Sequence, residues 1–351
     1  MSRRELILRA NPEYLAAIEN SYARAASSAA GDDPAISPYW KLHRSLAGFE
    51  ILDRCNGTIR IHGESGFYFP GCSYSSLEWI NTLDRLLWLT FSGWRRQAPV
   101  EPKALSFSIP RGRKNYTRFG YPFGAQRTAY DFLRAGYHLA CITPHLPAEI
   151  GSGARRLNSI EIGPGTGLCA LAVKLLIPNS TLVLVDLPET LAFSSVFLAT
   201  VLPECRFLFL DGFARDEKSW REFDFVLLPP DAARRLPSGS FDLALNTDSM
   251  QEMELASIRE YFALLRRLLR PPALFYSSNR TEKWIGSGTT RLADYPYVEG
   301  DRDLFSRENL FMHHRWIWKK FHYRIPYPWR EPRRGGEVMI QKLTAMKTNE
   351  K

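Results

Sequence analysis

Leu157-Asn-Ser-Ile-Glu-Ile-Gly-Pro-Gly-Thr-Gly-Leu168 is the stretch from which the fold is read. Ile160 and Ile162 suit a short buried strand, Gly163, Gly165 and Gly167 a tight turn, and the apolar run Leu168 to Leu176 a helix. Strand, glycine turn and helix in that order present bare backbone N–H groups to a ligand at the helix start. Dinucleotide sites favour G-x-G-x-x-G, with a pyrophosphate at the helix N-terminus. Here the spacing is G-x-G-x-G, and Glu161 stands two residues before the first glycine. That pattern suits S-adenosylmethionine, which lacks a pyrophosphate but carries an α-amino group that a carboxylate can meet. A purely structural turn is the bland alternative.

One strand further on, Ser180-Thr-Leu-Val-Leu-Val-Asp186 ends on an acid. It falls about twenty residues past the glycines, where this topology holds ribose hydroxyls. Asp186 could instead cap the helix from Pro188 onward. Position and residue type together favour the ligand.

The same alternation continues downstream. Strands are expected at 205–210, at Phe223 to Leu228 (followed by Asp231), at Phe241 to Asn246 and at Ala273 to Ser277. Helices are expected from Glu189 to Leu202 and from Ser257 to Leu269, the latter stopped by Pro271 and Pro272. Phe321 to Pro326 and Gly336 to Leu343 could close the chain as an antiparallel hairpin. The fold class expected is α/β, a Rossmann-like and mostly parallel sheet with helices on both faces. It would occupy 126–351. Residues 1–125 read as a mainly helical region with an acceptor-binding or oligomer role, with helical spacing at Pro12 to Ala23, Tyr39 to Phe49 and Ser76 to Trp94. Within it, Asn56 to Gly63 suits a small hairpin strand, and Arg111 to Arg118 is a dense basic run that reads as a solvated loop or as a clamp for a phosphorylated acceptor.

The chain has 351 residues and a net charge of +9, which suggests anionic company: nucleic acid, a membrane surface or phosphorylated substrates. The basic residues are dispersed, and neither an RNA module nor a base-amine motif of the Asn-Pro-Pro-Tyr type is present, so nucleic acid is not the expected partner. The five cysteines are scattered without metal-ligand spacing and read as small core residues in a reducing compartment. Met1 to Leu6 has no long apolar segment and nothing approaches a bilayer span, so a cytoplasmic location is expected.

Ligands of such sheets lie beyond the carboxyl ends of the strands. Asn246-Thr-Asp-Ser-Met-Gln-Glu-Met253 is too polar for a simple connector, and Ser277-Ser-Asn-Arg280 ends the next strand. Asp231 would meet the adenine edge. Helix capping by Asp248 or Ser249 and a surface role for Arg280 are the bland alternatives.

Glu161-Ile-Gly-Pro-Gly-Thr-Gly, Val185-Asp-Leu-Pro-Glu-Thr190, Asn246 to Met253 and Tyr276-Ser-Ser-Asn-Arg280 together resemble a bacterial family of candidate sugar O-methyltransferases, S-adenosylmethionine enzymes associated with polysaccharide or glycan biosynthesis. The resemblance spans about residues 155–285. Its glycine motif is widespread among methyltransferases, and the other three motifs are more particular. Pro164-Gly-Thr departs from the Gly-Gly-Tyr-type turn frequent in the family.

The resemblance implies methyl transfer from S-adenosylmethionine to a hydroxyl of a sugar, nucleotide sugar or glycan precursor. Glu161, Gly163, Gly165, Gly167, Asp186, Leu187, Asp231 and Asn246 form the candidate cofactor set. Ser249, Gln251, Asn279 and Arg280 form the candidate substrate set. A sugar hydroxyl needs its proton removed, by a side chain or by metal polarisation. Glu252 and Asp248 are the first candidates for the base, followed by His314 or His313 from the C-terminal segment. Asp248, Glu252 and Asn246 could gather on a cation, but no ligand spacing specifies one, and metal dependence stays open, as does oligomeric state. Alternative readings are an O-methyltransferase of a non-sugar small molecule, a nucleic-acid methyltransferase, and a cofactor-binding scaffold without catalysis.

Overall fold

The computed structural model describes residues 4–9, 12–20, 41, 48–63, 121–123, 126–128, 130–313 and 338–348. Its centre is an eight-stranded sheet. In chain order the strands are β1 (Leu157–Ile162), β2 (Ser180–Val185), β3 (Phe207–Leu208), β4 (Phe225–Leu228), β5 (Phe241–Thr247), β6 (Leu269–Arg280), β7 (Arg302–Glu308) and β8 (Met339–Ala345). Their spatial order is β7-β8-β6-β5-β1-β2-β4-β3. Pairings from β6 across to β3 are parallel, and β8 runs antiparallel to both β6 and β7. This is the Rossmann-like α/β architecture expected from the sequence, with an antiparallel pair at the C-terminal edge. The order reverses at β1, which makes its carboxyl end the switch point where ligands of such sheets bind.

The strands are continuous apolar runs because both faces are covered. Along β1, β2, β4 and β5 alternate residues divide between two cores. Leu157, Leu182, Leu184, Leu227, Leu243 and Leu245 join the cluster that contains α1 (Tyr130–Ile142), α2 (Leu168–Leu176) and α3 (Pro188–Val201). Ile160, Ile162, Val183, Val185 and Val226 join Ile258, Phe262 and Leu265 of α4 (Leu255–Leu268). The period of two therefore decides which core each side chain enters.

Several boundaries differ from the sequence reading. The strand expected over 205–210 shrinks to β3, because Leu210–Arg215 turns helical. α4 ends at Leu268 and Leu269 already pairs with Phe241, so the prolines lie in an exposed bulge of β6, after which Leu243 pairs with Leu274. β8 takes Arg302–Glu308 as its outer partner and β6 as its inner one, so both of its edges are used. The Phe321 segment expected opposite it lies outside the described residues, as do the Ser76 helix, the Arg111 run and His314. Of His313 only the backbone, at the end of the short helix Leu310–His313, is described.

The described part of the first 125 residues is largely strand rather than helix. Arg4–Arg9, Thr58–Gly63 and Gly48–Asp53 form an antiparallel sheet, which includes the strand expected near Thr58. The apolar run Leu6-Ile7-Leu8 and the alternating Ile59-Arg60-Ile61 both suit strands, which the aromatic spacing around Tyr39 to Phe49 obscured. Leu15, Ile18 and Ile59 are buried in the α3-side core, and Tyr14 packs edge-on against Phe207 and Phe209 at 5.3 and 5.4 Å. Cys141, Cys169 and Cys205 are small buried residues as expected, whereas Cys55 is exposed. Among the described residues no helix is long and apolar enough to cross a membrane.

Candidate active site

The glycine turn is a tight left-handed passage from β1 to α2, with φ of +69° at Gly163, +57° at Gly165 and +86° at Gly167. The Gly163 N–H donates to Val185 O at 2.8 Å, which fixes the turn to the end of β2. A methyl on Gly163 would lie 1.8 Å from Ser249 Oγ, and one on Gly167 2.9 Å from Leu198 Cδ1, so chain occupies both sides. Gly165 differs: among the described residues nothing lies within 4 Å of where its Cβ would stand, so that side of the turn is open, while its C=O accepts from Ser194 Oγ at 2.5 Å.

Asp186 is half-buried at the carboxyl end of β2 and accepts hydrogen bonds from Leu187 N (2.7 Å) and Gly165 N (3.2 Å). Burial raises its pKa to about 7 against these two bonds. Glu161 projects to the α2 side of β1, among Ala170, Val173, Leu184 and Leu245, and is 2% exposed. Among the described residues neither of its oxygens has a partner in hydrogen-bond geometry; the Ala170 N–H lies near enough only to moderate its charge. Burial, with the Asp186 carboxylate nearby, raises its pKa to about 8. Two carboxyls therefore lie under one turn, both shifted toward the neutral form, where a cationic group would restore their charge.

A pH dependence follows. Glu161 holds its proton more tightly folded (about 8) than a carboxyl at its ordinary 4.5, so the folded state binds the extra proton between these pH values. Stability of the unliganded protein should fall as pH rises through that window. Glu161→Gln should flatten the decline in a pH series of thermal melts, and an unchanged slope would place the titration elsewhere.

The 246–253 loop is assembled from its own polar side chains. Asn246 is fully buried; its Nδ2 donates to Ile162 O (2.8 Å) and Ser249 Oγ (3.1 Å), and its Oδ1 accepts from Asn279 Nδ2 (2.9 Å). Asn279 Oδ1 accepts from Gln251 N (3.1 Å), and Gln251 Oε1 accepts from Arg280 N (2.7 Å). Asn246, Gln251 and Asn279 thus lock the ends of β1, β5 and β6 together, and Ser249 seals Gly163. Their clustering in sequence reports a co-folded unit, with these polar atoms already committed within the protein.

Glu252 ends the short helix Met250–Glu252 and pairs with Lys283, just beyond β6. Burial raises its pKa to about 6, with Lys283 pulling it back and Asp248 adding to the rise. Asp248 stands in the left-handed region at φ +63°, and its Oδ2 is 2.5 Å from Arg134 Nη1 on α1. Asp231 opens the short helix Pro230–Ala233 after β4; its side chain is 95% exposed, with Arg234 3.9 Å away.

The ends of β1, β2, β4, β5 and β6 therefore bring most of the predicted residues to one edge of the sheet. Asp248, Glu252 and Asn246 do not converge: their partners are Arg134, Lys283 and Asn279. Among the described residues no group of three His, Cys, Asp or Glu side chains is placed to hold a metal ion. Arg134, Lys283 and Tyr261 were not singled out from sequence. Tyr261 on α4 lies within electrostatic range of Asp186 and Asp231, and burial with their charge holds its hydroxyl well above the usual range. Nothing along the chain links Arg134 to a loop more than a hundred residues away.

No family model matches the chain, and no curated protein does. Solved structures are similar in shape at low identity. A sarcosine dimethylglycine methyltransferase candidate from Galdieria sulphuraria is 13% identical with a TM-score of 0.39, over 62% of this chain and 86% of that one. Phosphoethanolamine N-methyltransferase 2 from Haemonchus contortus, in complex with S-adenosyl-L-methionine, is 14% identical with a TM-score of 0.36, over 60% of this chain and 52% of that one. The PH0226 protein from Pyrococcus horikoshii OT3 is 12% identical with a TM-score of 0.34, over 73% of this chain and all of that one. Likenesses this distant assign neither activity nor substrate.

Proposed function

We propose that the chain is an S-adenosylmethionine-dependent methyltransferase acting on a hydroxyl of a sugar, nucleotide sugar or glycan precursor. The observation that carries the cofactor half is the glycine turn at the switch point, open at Gly165, with Glu161 beneath it and Asp186 beside it. These residues fit the group: Asp186 has lone pairs for ribose hydroxyls, Glu161 meets no counter-charge among the described residues, and the open Cβ side of Gly165 admits close approach. The bound cofactor would supply an already electrophilic methyl group. The protein's part is to align an acceptor oxygen with it, exclude water and take a proton. Glu252, partly shifted toward the neutral form, is the candidate for that proton, and Lys283 orients it. Asp231, after β4, is the candidate for the adenine edge. The acceptor class rests on the motif resemblance at 185–190, 246–253 and 276–280, and residues 1–125 are proposed to contribute to acceptor binding or assembly.

Calorimetry should detect binding of S-adenosylmethionine and S-adenosylhomocysteine but not of NAD. Asp186→Ala should cost about 1–3 kcal/mol for each ribose hydrogen bond to the ionised acceptor. Binding of NAD with no response to either sulfur nucleoside would overturn the cofactor reading. Mass spectrometry after incubation with labelled S-adenosylmethionine and glycan acceptors tests the sugar reading, which label appearing only on non-sugar small molecules would sink.

A further inference from the structure

Arg134 has no role in the chemistry above, yet it reaches the candidate site from α1. It bridges α1 to the 246–253 loop through Asp248, and both side chains remain about a quarter exposed (23% and 26%). Its position is held by its own helix. His138, one turn further along the same face, is buried with Nδ1 2.6 Å from the Tyr276 hydroxyl on β6. Tyr276 donates to Gln341 Oε1 on β8 (3.1 Å), and Gln341 Nε2 donates to the Tyr137 hydroxyl on α1 (2.9 Å). This buried chain ties α1 to two strands and sets where Arg134 stands. Burial and the Arg134 charge hold the His138 pKa down to about 3, so the tie is made by a neutral imidazole.

The bridge also lies near the glycine turn. Asp248 is followed by Ser249, whose Oγ lies where a methyl on Gly163 would stand. Asp186, the proposed ribose residue, is at the end of β2, on the opposite side of β1 from β5. The amino-acid end of the cofactor would therefore lie toward β5 and Asp248. We infer that Arg134 receives the α-carboxylate of the bound cofactor, and that the Asp248 carboxylate occupies its guanidinium until the ligand arrives. This inference rests on the cofactor reading above. A carboxylate already sits on the guanidinium, so the site has the charge and donor geometry for one. Asp248 stands at a positive φ, which short polar side chains tolerate, with its carboxylate turned to Arg134 on α1. With Glu161 beneath the turn, a cation and an anion would then meet the two charged ends of an amino acid.

The test compares three probes by calorimetry: S-adenosylmethionine, S-adenosylhomocysteine and 5′-methylthioadenosine, which lacks the amino-acid end. Arg134→Gln should weaken the first two by about 10–100-fold, the range for charge-assisted hydrogen bonds, and leave the third within about threefold. Arg134→Lys should fall between, because it keeps the charge and loses the planar fork; it carries the same comparison if the Gln variant does not fold. Asp248→Asn keeps a side chain that tolerates positive φ and removes the competing charge, so S-adenosylmethionine should bind as well or more tightly. Equal loss for all three probes in the Arg134 variants would make the arginine a brace for the cleft and overturn the inference. Unchanged affinities with a raised acceptor KM would also overturn it, assigning Arg134 to an anionic acceptor. A wild-type protein that binds none of the three overturns the cofactor reading itself.

Discussion

Glu252→Gln is expected to lower turnover by about 10²–10⁴-fold while S-adenosylmethionine binding holds, if this carboxylate takes the acceptor's proton. The substitution keeps the size and one hydrogen-bond acceptor for Lys283 but removes the basicity. The pH profile gives a second readout. Burial raises the Glu252 pKa to about 6, so wild-type activity should climb as pH rises through that value and then level. The stability sign is opposite. The folded state holds this proton more tightly than the unfolded chain, where a carboxyl titrates at its ordinary 4.5, so ionising Glu252 between about 4.5 and 6 lowers stability. Lys283→Met removes the charge that favours the carboxylate and should move the acid limb of the rate profile upward. Loss of stability and of cofactor binding together in Glu252→Gln would mark the Glu252–Lys283 pair as a brace. Near-normal turnover in Glu252→Gln, with an inactive His314→Ala, would transfer the base to the C-terminal segment.

Gly163→Ala should unfold the turn on which the site depends. A left-handed backbone costs an L-residue roughly 1–2 kcal/mol, and overpacking adds about 1–3 kcal/mol. Here the new methyl would stand 1.8 Å from Ser249 Oγ and 2.4 Å from its Cβ, with φ at +69°. The expected loss is about 2–5 kcal/mol, a fall in Tm on the order of 5–10 °C, with cofactor binding lost or strongly weakened. Because the clash is with one side chain, Ser249→Gly should rescue part of it. The double variant should regain the steric component and keep the backbone component. Thermal melts of the four proteins in the cycle measure the coupling; simple additivity of the two single effects would show that Ser249 is not what excludes the methyl.

The parallel sheet was legible because its strands are unbroken apolar runs, and a chain that buries both faces of a strand must write it that way. The glycine turn was legible because positive φ at three alternate positions leaves little choice of residue. The polar 246–253 loop stood out as too hydrophilic for a connector between buried elements. β3 was read too long, because Phe207 to Leu210 is apolar whether it pairs as strand or turns into helix. The antiparallel partner of β8 was placed at Phe321 rather than at Arg302–Glu308 because two strands can meet across any loop length, and local pattern does not encode which pair does.

By itself, then, the sequence determined the alternation of strands and helices, the position of the turn, and the acids Glu161 and Asp186 beside it. These are properties of neighbours along the chain, set by backbone freedom and hydrophobic period. Only the tertiary structure decided what each polar group does. Asn246, Gln251 and Asn279 hold one another, because a buried amide left unpaired is costly, and the partner comes from whichever strand lies next to it. Glu252 meets Lys283 and Asp248 meets Arg134 across 31 and 114 residues for the same reason. The sheet order brought them together, and a pairing made through space leaves no mark in the spacing of residues along the chain.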